Sequence, residues 1–228
     1  MIQIADISFY QDKPTTPQGV DFHVMRQKSP AVIIRAGQNT WTDKCFADHW
    51  KRAKEAGLKR GAYWFYDERT APKRQAEIFA GLLRDDPPEF YAWLDAENYL
   101  SGLYKGPAGW YDFMEYFKQI LPDVKQGVYT GYYYWRERVY RPSWMAYFMQ
   151  YPLWIALYGD APKIPPPWKH CLLWQYTSNG PGAEWGVESK DIDLNYYYGA
   201  DFEDVPVSKK STLLVNMYGD SVAEYEEK

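Results

Sequence analysis

Residues 31–66 read "AVIIRAGQNTWTDKCFADHWKRAKEAGLKRGAYWFY": an unbroken apolar run, an amphipathic stretch, then a second apolar run. "AVIIRAG" shows no polar alternation, so both of its faces must be buried, as in a strand inside a parallel sheet. In "TDKCFADHWKRAKEAG", Phe46, Trp50 and Ala53 fall on one side of a helix, with Asp43 expected as its N-cap and Gly57 as its stop. Strand, crossover helix, strand is the unit from which parallel sheets are built. The alternation continues on both sides of this unit. "MIQIADIS" precedes it as a strand. After "GAYWFYD" come a helix over Lys73 to Arg84, a strand over Phe90 to Glu97, and a helix near Pro107 to Leu121. In that last helix Trp110, Phe113, Met114 and Phe117 make the apolar stripe. "QGVYTG", a short helix around Pro142 to Gln150, and the strand-like runs "PLWIALY", "CLLWQYT" and "DIDLN" follow, so the later part is richer in strand than in helix. The class is α/β. The pattern points to an irregular β/α barrel, in one domain, more than to an open doubly wound sheet, because "ADISFYQDK" after the first strand has no glycine for a phosphate loop.

The strand "YAWLDAENY" raises a chemical question, because its apolar, aromatic run ends in two acids one residue apart. Alternation puts Tyr91, Trp93, Asp95 and Glu97 on one face and Ala92, Leu94 and Ala96 on the other. Neighbouring buried carboxylates repel and lose solvation, which raises at least one pKa and suits acid/base work. Two other strands also carry an acid. Asp6 shares a face with Ile2 and Ile4, and Asp193 alternates with Ile192 and Leu194. A single acid near a strand end more often caps a turn or meets solvent. Recurrence on several strands of a barrel, whose active sites sit at the C-terminal rim, favours catalysis.

Other chemistries lack the residues. His23, His49 and His170 have no paired metal spacing, Cys45 and Cys171 lie too far apart for a local zinc motif, and both are expected to be free thiols. Neither a metal nor a cofactor is expected. No G-x-S-x-G elbow occurs. With 26 basic and 30 acidic residues mixed along the chain, net charge -4, nothing resembles the basic stripe of a nucleic-acid binder. Carboxylates are the well-stocked catalytic chemistry, and pairs of them hydrolyse glycosides. Aromatic residues, at 19% with 22 Tyr and 11 Trp, exceed what a core of this size needs, and the excess argues for a ligand such as a sugar. "MIQIADISFY" lacks the basic and apolar regions of a signal peptide, and no run of roughly 18 apolar residues suggests a membrane span. The expectation is a protein made in a cytoplasm, without membrane insertion. Residues 201–228, polar around "TLLVNMY", read as an appended tail that docks on a 1–200 barrel.

The ordered set "ADIS", "VIIRAG", "FADHWKRAKEAGLKRGAYWF", "YAWLDAE", "GVYTG", "PLWIALY", "LLWQYTSNGPGAEWG" and "DIDLN" resembles glycoside hydrolase family 25, the Chalaropsis-type lysozymes, over about Ile2 to Gly199. The resemblance implies an irregular β/α barrel with an incomplete ring of helices. It also implies metal-free cleavage of the β-1,4 bond between N-acetylmuramic acid and N-acetylglucosamine in peptidoglycan glycan strands. By position it implies Glu97 as the catalytic acid, Asp95 as its partner, Asp6 and Asp193 as further active-site acids, and Tyr63, Tyr129, Trp154 and Gln175 as groove residues. A phage lysin, acting on the wall after release, is the expected setting. Two motifs depart from the family: "YHF" becomes Tyr63-Trp64-Phe65, and "KATEG" becomes Arg35-Ala36-Gly37-Gln38-Asn39. A chitinase-type D-x-x-D-x-D-x-E would need acids at Phe90 and Trp93. The alternative of another class is a catalytically silent peptidoglycan-binding or structural protein, which retention of all four acids opposes. Spacing leaves the stereochemistry open: two residues of strand separate the Asp95 and Glu97 backbones by about 6.6 Å, which is ambiguous between retaining and inverting pairs.

Overall fold

The computed structural model describes residues 1–12, 19–97, 105–200 and 202. Its strands are β1 (Ile2–Ile7), β2 (Ala31–Gln38), β3 (Trp41–Thr42), β4 (Lys59–Phe65), β5 (Ala92–Asp95), β6 (Gln126–Gly131), β7 (Leu153–Ala156), β8 (Leu173–Pro181) and β9 (Asp191–Tyr197). The helices are α1 (Phe22–Lys28), α2 (Phe46–Glu55), α3 (Pro72–Leu83), α4 (Ala108–Ile120), α5 (Tyr132–Arg138) and α6 (Pro142–Phe148). The strands lie in the order β1-β9-β8-β7-β6-β5-β4-β2, and a β1–β2 pairing closes them into a barrel, with β3 folded back on the end of β2. Pairing is parallel among β1, β2, β4, β5, β6, β7 and β8, whereas β3 runs antiparallel to β2 and β9 antiparallel to both of its neighbours. Only residues 182–190 link β8 to β9, too short a span for the crossover that a parallel return needs. Among the described residues all six α-helices precede β7, so the helical ring there is incomplete.

The strand faces divide the core in two. Ile4, Ala31, Ile33, Phe90, Trp93, Trp154, Leu173 and Tyr197 pack inside the barrel. Val32, Ile34, Trp64, Phe79, Phe113 and Phe117 belong to the cluster between barrel and helices. Every residue of β2 is buried, as its unbroken apolar run requires. Gly127 leaves room for the largest inner side chain: a Cβ there would stand 2.3 Å from the Trp93 ring, so any larger residue would displace the indole. Phe202 extends the inner stack at the opposite end from the acids, 5.3 Å from Phe90 and 4.9 Å from Tyr197 between ring centroids. Of the tail, residues 201 and 203–228, "TLLVNMY" included, lie outside the described residues.

Three local expectations change. The N-cap of α2 is Cys45, not Asp43. The Asp43 carboxylate instead accepts from the Cys45 and Phe9 amides at 3.0 and 3.1 Å and from Arg35 Nε at 2.9 Å. It joins three segments rather than ending one. The strand expected over Phe90 to Glu97 is confined to Ala92–Asp95. Finally, α1 and α5 were not expected. The first is opened by Asp21, whose carboxylate accepts from the His23 and Val24 amides; in the second, "YYYWRER", aromatic residues of modest helix propensity conceal the helix.

Candidate active site

The strand ends and following loops at one rim bring the four acids together. Asp6 near the end of β1 lies directly opposite Asp193 near the start of β9. Asp95 ends β5, paired with Phe65 of β4 and Tyr129 of β6. Glu97 stands two residues beyond, on a segment fixed to its neighbours. The Ala96 amide donates to Tyr129 O at 2.9 Å, and the Thr130 hydroxyl donates to Ala96 O at 2.7 Å. β-pairing thus continues past the strand and holds the glutamate at the mouth.

One hydrogen-bond chain orients Asp6. Gln175 Nε2 and Asn195 Nδ2 donate to its Oδ2 at 3.0 and 2.8 Å. Tyr129 and Tyr158 hydroxyls donate to Gln175 Oε1 at 3.1 and 3.2 Å, and Trp154 Nε1 donates to Asn195 Oδ1 at 2.6 Å. Of the four residues expected to line a groove, Gln175, Tyr129 and Trp154 therefore belong to the support beneath the acids, with Trp154 only 1% exposed. Tyr63 is half-buried, its ring edge-on to Trp154 at 6.1 Å. Its phenol is pushed well up, chiefly by burial, and Asp6, Asp95 and Asp193 add to the effect.

The acids share one electrostatic condition. Burial raises the Asp6 carboxyl to about 6, against the pull of Asn195 and Gln175. Burial, with the charge of Asp6, raises Glu97 to about 7. Asp193 rises to about 8 through burial and the charges of Asp6 and Glu97. Asp95 is pushed well up by burial, then by Glu97 and Asp6, with Arg35 opposing. Its Oδ1 is buried without a partner among the described residues, so little offsets that desolvation. A site that holds protons near neutrality can donate them to a leaving group.

Asn195 and Tyr158 escaped the sequence reading, and Arg35 entered it only as part of the segment that replaces "KATEG". Asn195 follows Asp193 by two in "DIDLN", and their common face was a usable signal. Tyr158 had no signal beyond residue type. Glu68, just past β4, is a fifth carboxyl raised by burial, to about 7, and its Oε1 is without a partner among the described residues. Among those residues, Asp12, Cys45 and His49 place potential metal-ligand atoms within 4.8 Å of one another. His49 Nε2 already lies 2.8 Å from Asp12 Oδ2, and burial pushes the Cys45 thiol up to about 11. A protonated thiol beside an internal His–Asp pair suits packing better than metal ligation.

A closed β/α barrel with clustered carboxyls at its rim defines a class, the glycosidases of barrel fold. The family model "Glycosyl hydrolases family 25" matches residues 5–185, and the chain belongs to that family. Its fold is that of a bacterial lysozyme from Streptomyces coelicolor, with a TM-score of 0.72 at 23% identity over 89% of this chain and 94% of that one. A family 25 glycosyl hydrolase from Bacillus anthracis is similar, with a TM-score of 0.70 at 21% identity over 89% and 91%. Among curated proteins, the uncharacterised YegX of Escherichia coli O157:H7 is 26% identical over 71% of this chain. The chain spans 56% of that relative's length.

Proposed function

We propose that the protein is a peptidoglycan hydrolase, a muramidase that cleaves the β-1,4 bond between N-acetylmuramic acid and N-acetylglucosamine. The observation that carries this reading is the set of four carboxyls, from three strands, whose proton affinity is raised in one barrel mouth. Family membership supplies the reaction class. Glu97 is assigned as the acid, since a carboxyl raised to about 7 retains a proton to deliver to the leaving oxygen.

We read Asp95 and Glu97, two residues apart at the end of β5, as reaching the sugar from one side of the groove, which suits a substrate-assisted route better than a pair acting on opposite faces of the ring. The 2-acetamido oxygen of the substrate attacks the anomeric carbon while Glu97 protonates the departing oxygen. Asp95 accepts from the acetamido N–H and orients it. Water then opens the cyclic intermediate, giving its proton to Glu97, with net retention. Asp6 and Asp193 tune the charge of the mouth, and Tyr63, Tyr129, Trp154 and Gln175 support its floor. Release of the α anomer first, seen by NMR of freshly cut glycan, would make Asp6 or Asp193 the base for an attacking water.

Residues 1–200 are taken as the catalytic unit and 201–228 as a tail that begins to dock through Phe202. The expected place of action is a bacterial wall, in a lytic role of the phage-lysin kind. Purified walls separate this reading from a catalytically silent binder: the hydrolase clears their turbidity, whereas a binder co-sediments with them and leaves the turbidity unchanged.

A further inference from the structure

Next to the acids stands an exposed aromatic surface that the hydrolytic site does not use. Tyr10 is 68% exposed and Trp41 is 41% exposed, beside the half-buried Phe9. Exposed rings are costly unless something covers them. They sit at the same rim. Phe9 and Tyr10 follow the Asp6 end of β1, and Trp41 lies on β3, which folds back along the end of β2, the parallel neighbour of β1. The Phe9 and Tyr10 centroids are 4.1 Å apart and tilted by 37°, with Trp41 6.5 Å from Phe9.

These rings are fixed in place. Arg35 lies beneath all three, its guanidinium carbon 4.8 Å from the Phe9 centroid, 5.4 Å from Tyr10 and 5.2 Å from Trp41. Asp43 binds Arg35 Nε and the Phe9 amide together, and a capping box between Ser8 and Gln11 closes the turn that carries Phe9 and Tyr10. A cation stacked under aromatic faces and anchored by a buried carboxylate holds such a cluster together. Rigid, exposed rings bind pyranose C–H faces at low entropic cost, because nothing must be ordered on binding.

We propose that Phe9, Tyr10 and Trp41, carried on Arg35, form a sugar-stacking subsite that extends the glycan-binding groove outward from the Asp6 side of the mouth. This rests on the reading of the acids as a peptidoglycan-cleaving site, whose polymeric substrate continues past the bond that is cut. The occupant is therefore the uncharged face of a sugar unit farther along the same strand.

The test compares wild type with Trp41→Ala, Tyr10→Ala and the stacking-conservative Trp41→Tyr on solubilised glycan strands of graded length. For Trp41→Ala on long strands, KM is expected to rise by about tenfold with kcat within about twofold, the effect shrinking as strands shorten. Trp41→Tyr is expected to restore most of the loss. An equal change at every length, or no change on long strands, overturns the proposal. So does a change in sedimentation of the free protein, which would make the shelf a contact between copies of the chain. Co-sedimentation of each variant with insoluble walls reads the subsite even if wild type cuts nothing: weaker retention of Trp41→Ala supports it, and unchanged retention overturns it.

Discussion

Two clusters of charge, at opposite ends of the barrel, handle the same side chains in opposite ways. At the start of β4, Arg60 is fully buried, yet its guanidinium donates to Asp86 at 2.6 and 2.9 Å, to Glu89 at 2.9 and 2.5 Å, and to Trp50 O at 3.2 Å. Hydrogen bonds from Arg60 hold the Asp86 carboxyl well below the usual carboxylate range, and those to Glu89 outweigh its burial. At the other rim Asp6, Asp95, Glu97 and Asp193 face one another, and all four are pushed up. The first cluster satisfies its charges and belongs to the fold. The second leaves them in conflict, an arrangement that costs stability and holds protons ready, as the chemistry proposed for it requires.

The largest expected effect is at the second cluster. Glu97→Gln keeps shape but has no proton to give, so wall lysis should fall by at least about 10²–10⁴-fold in a protein whose circular dichroism is unchanged. Near-normal lysis by a folded variant would remove the contrast. Next comes the first cluster, where Arg60→Met removes the guanidinium from Glu89 and from Asp86, which keeps Lys54 at 2.6 Å, and should cost about 2–3 kcal/mol in denaturant unfolding, with activity per folded molecule unaffected. A loss below about 1 kcal/mol would mean that the network is ornamental.

The pH response should separate the two ends as well. With Glu97 at about 7, activity is expected to fall by about tenfold per pH unit above that point, and a rate still rising at pH 9 would contradict the assignment. Stability follows its own sign. A carboxyl raised in the folded state binds more protons there than in the unfolded chain, so its contribution is greatest below about pH 4 and is lost as pH rises through its folded pKa. Asp86 and Glu89 are lowered, so their contribution is present above the unfolded pKa and lost on acidification. The last expected effect uses this difference: Asp193→Asn should stabilise the fold more at pH 8 than at pH 4, read from the denaturation midpoint at each pH, while slowing lysis. Destabilisation at pH 8 would place Asp193 among satisfied groups.

The sequence carried the fold where periodicity was strong. "AVIIRAG" announced a doubly buried strand, and alternation in "YAWLDAENY" separated Trp93, which packs inside the barrel, from Leu94 and Ala96, which pack against the helices. It carried less where side chains act through distant partners. Asp43 looked like a cap because acids before helices usually are, but Arg35 and the Phe9 turn compete for the same oxygens. Trp154 and Gln175 read as groove residues, yet their hydrogen bonds run to Asn195 and Asp6 across strands far apart in the chain. No local pattern encodes that network. The reversed direction of β9 was equally hidden, because "DIDLN" alternates the same way whether its neighbours run parallel or antiparallel.

The most direct measurement is mass spectrometry of a purified peptidoglycan digest after borohydride reduction, run with wild type and with Glu97→Gln. The expected result is fragments ending in reduced N-acetylmuramic acid from wild type and intact strands from Glu97→Gln. Fragments ending in reduced N-acetylglucosamine, or equal digestion by both proteins, would contradict a muramidase that works through the acid beyond β5.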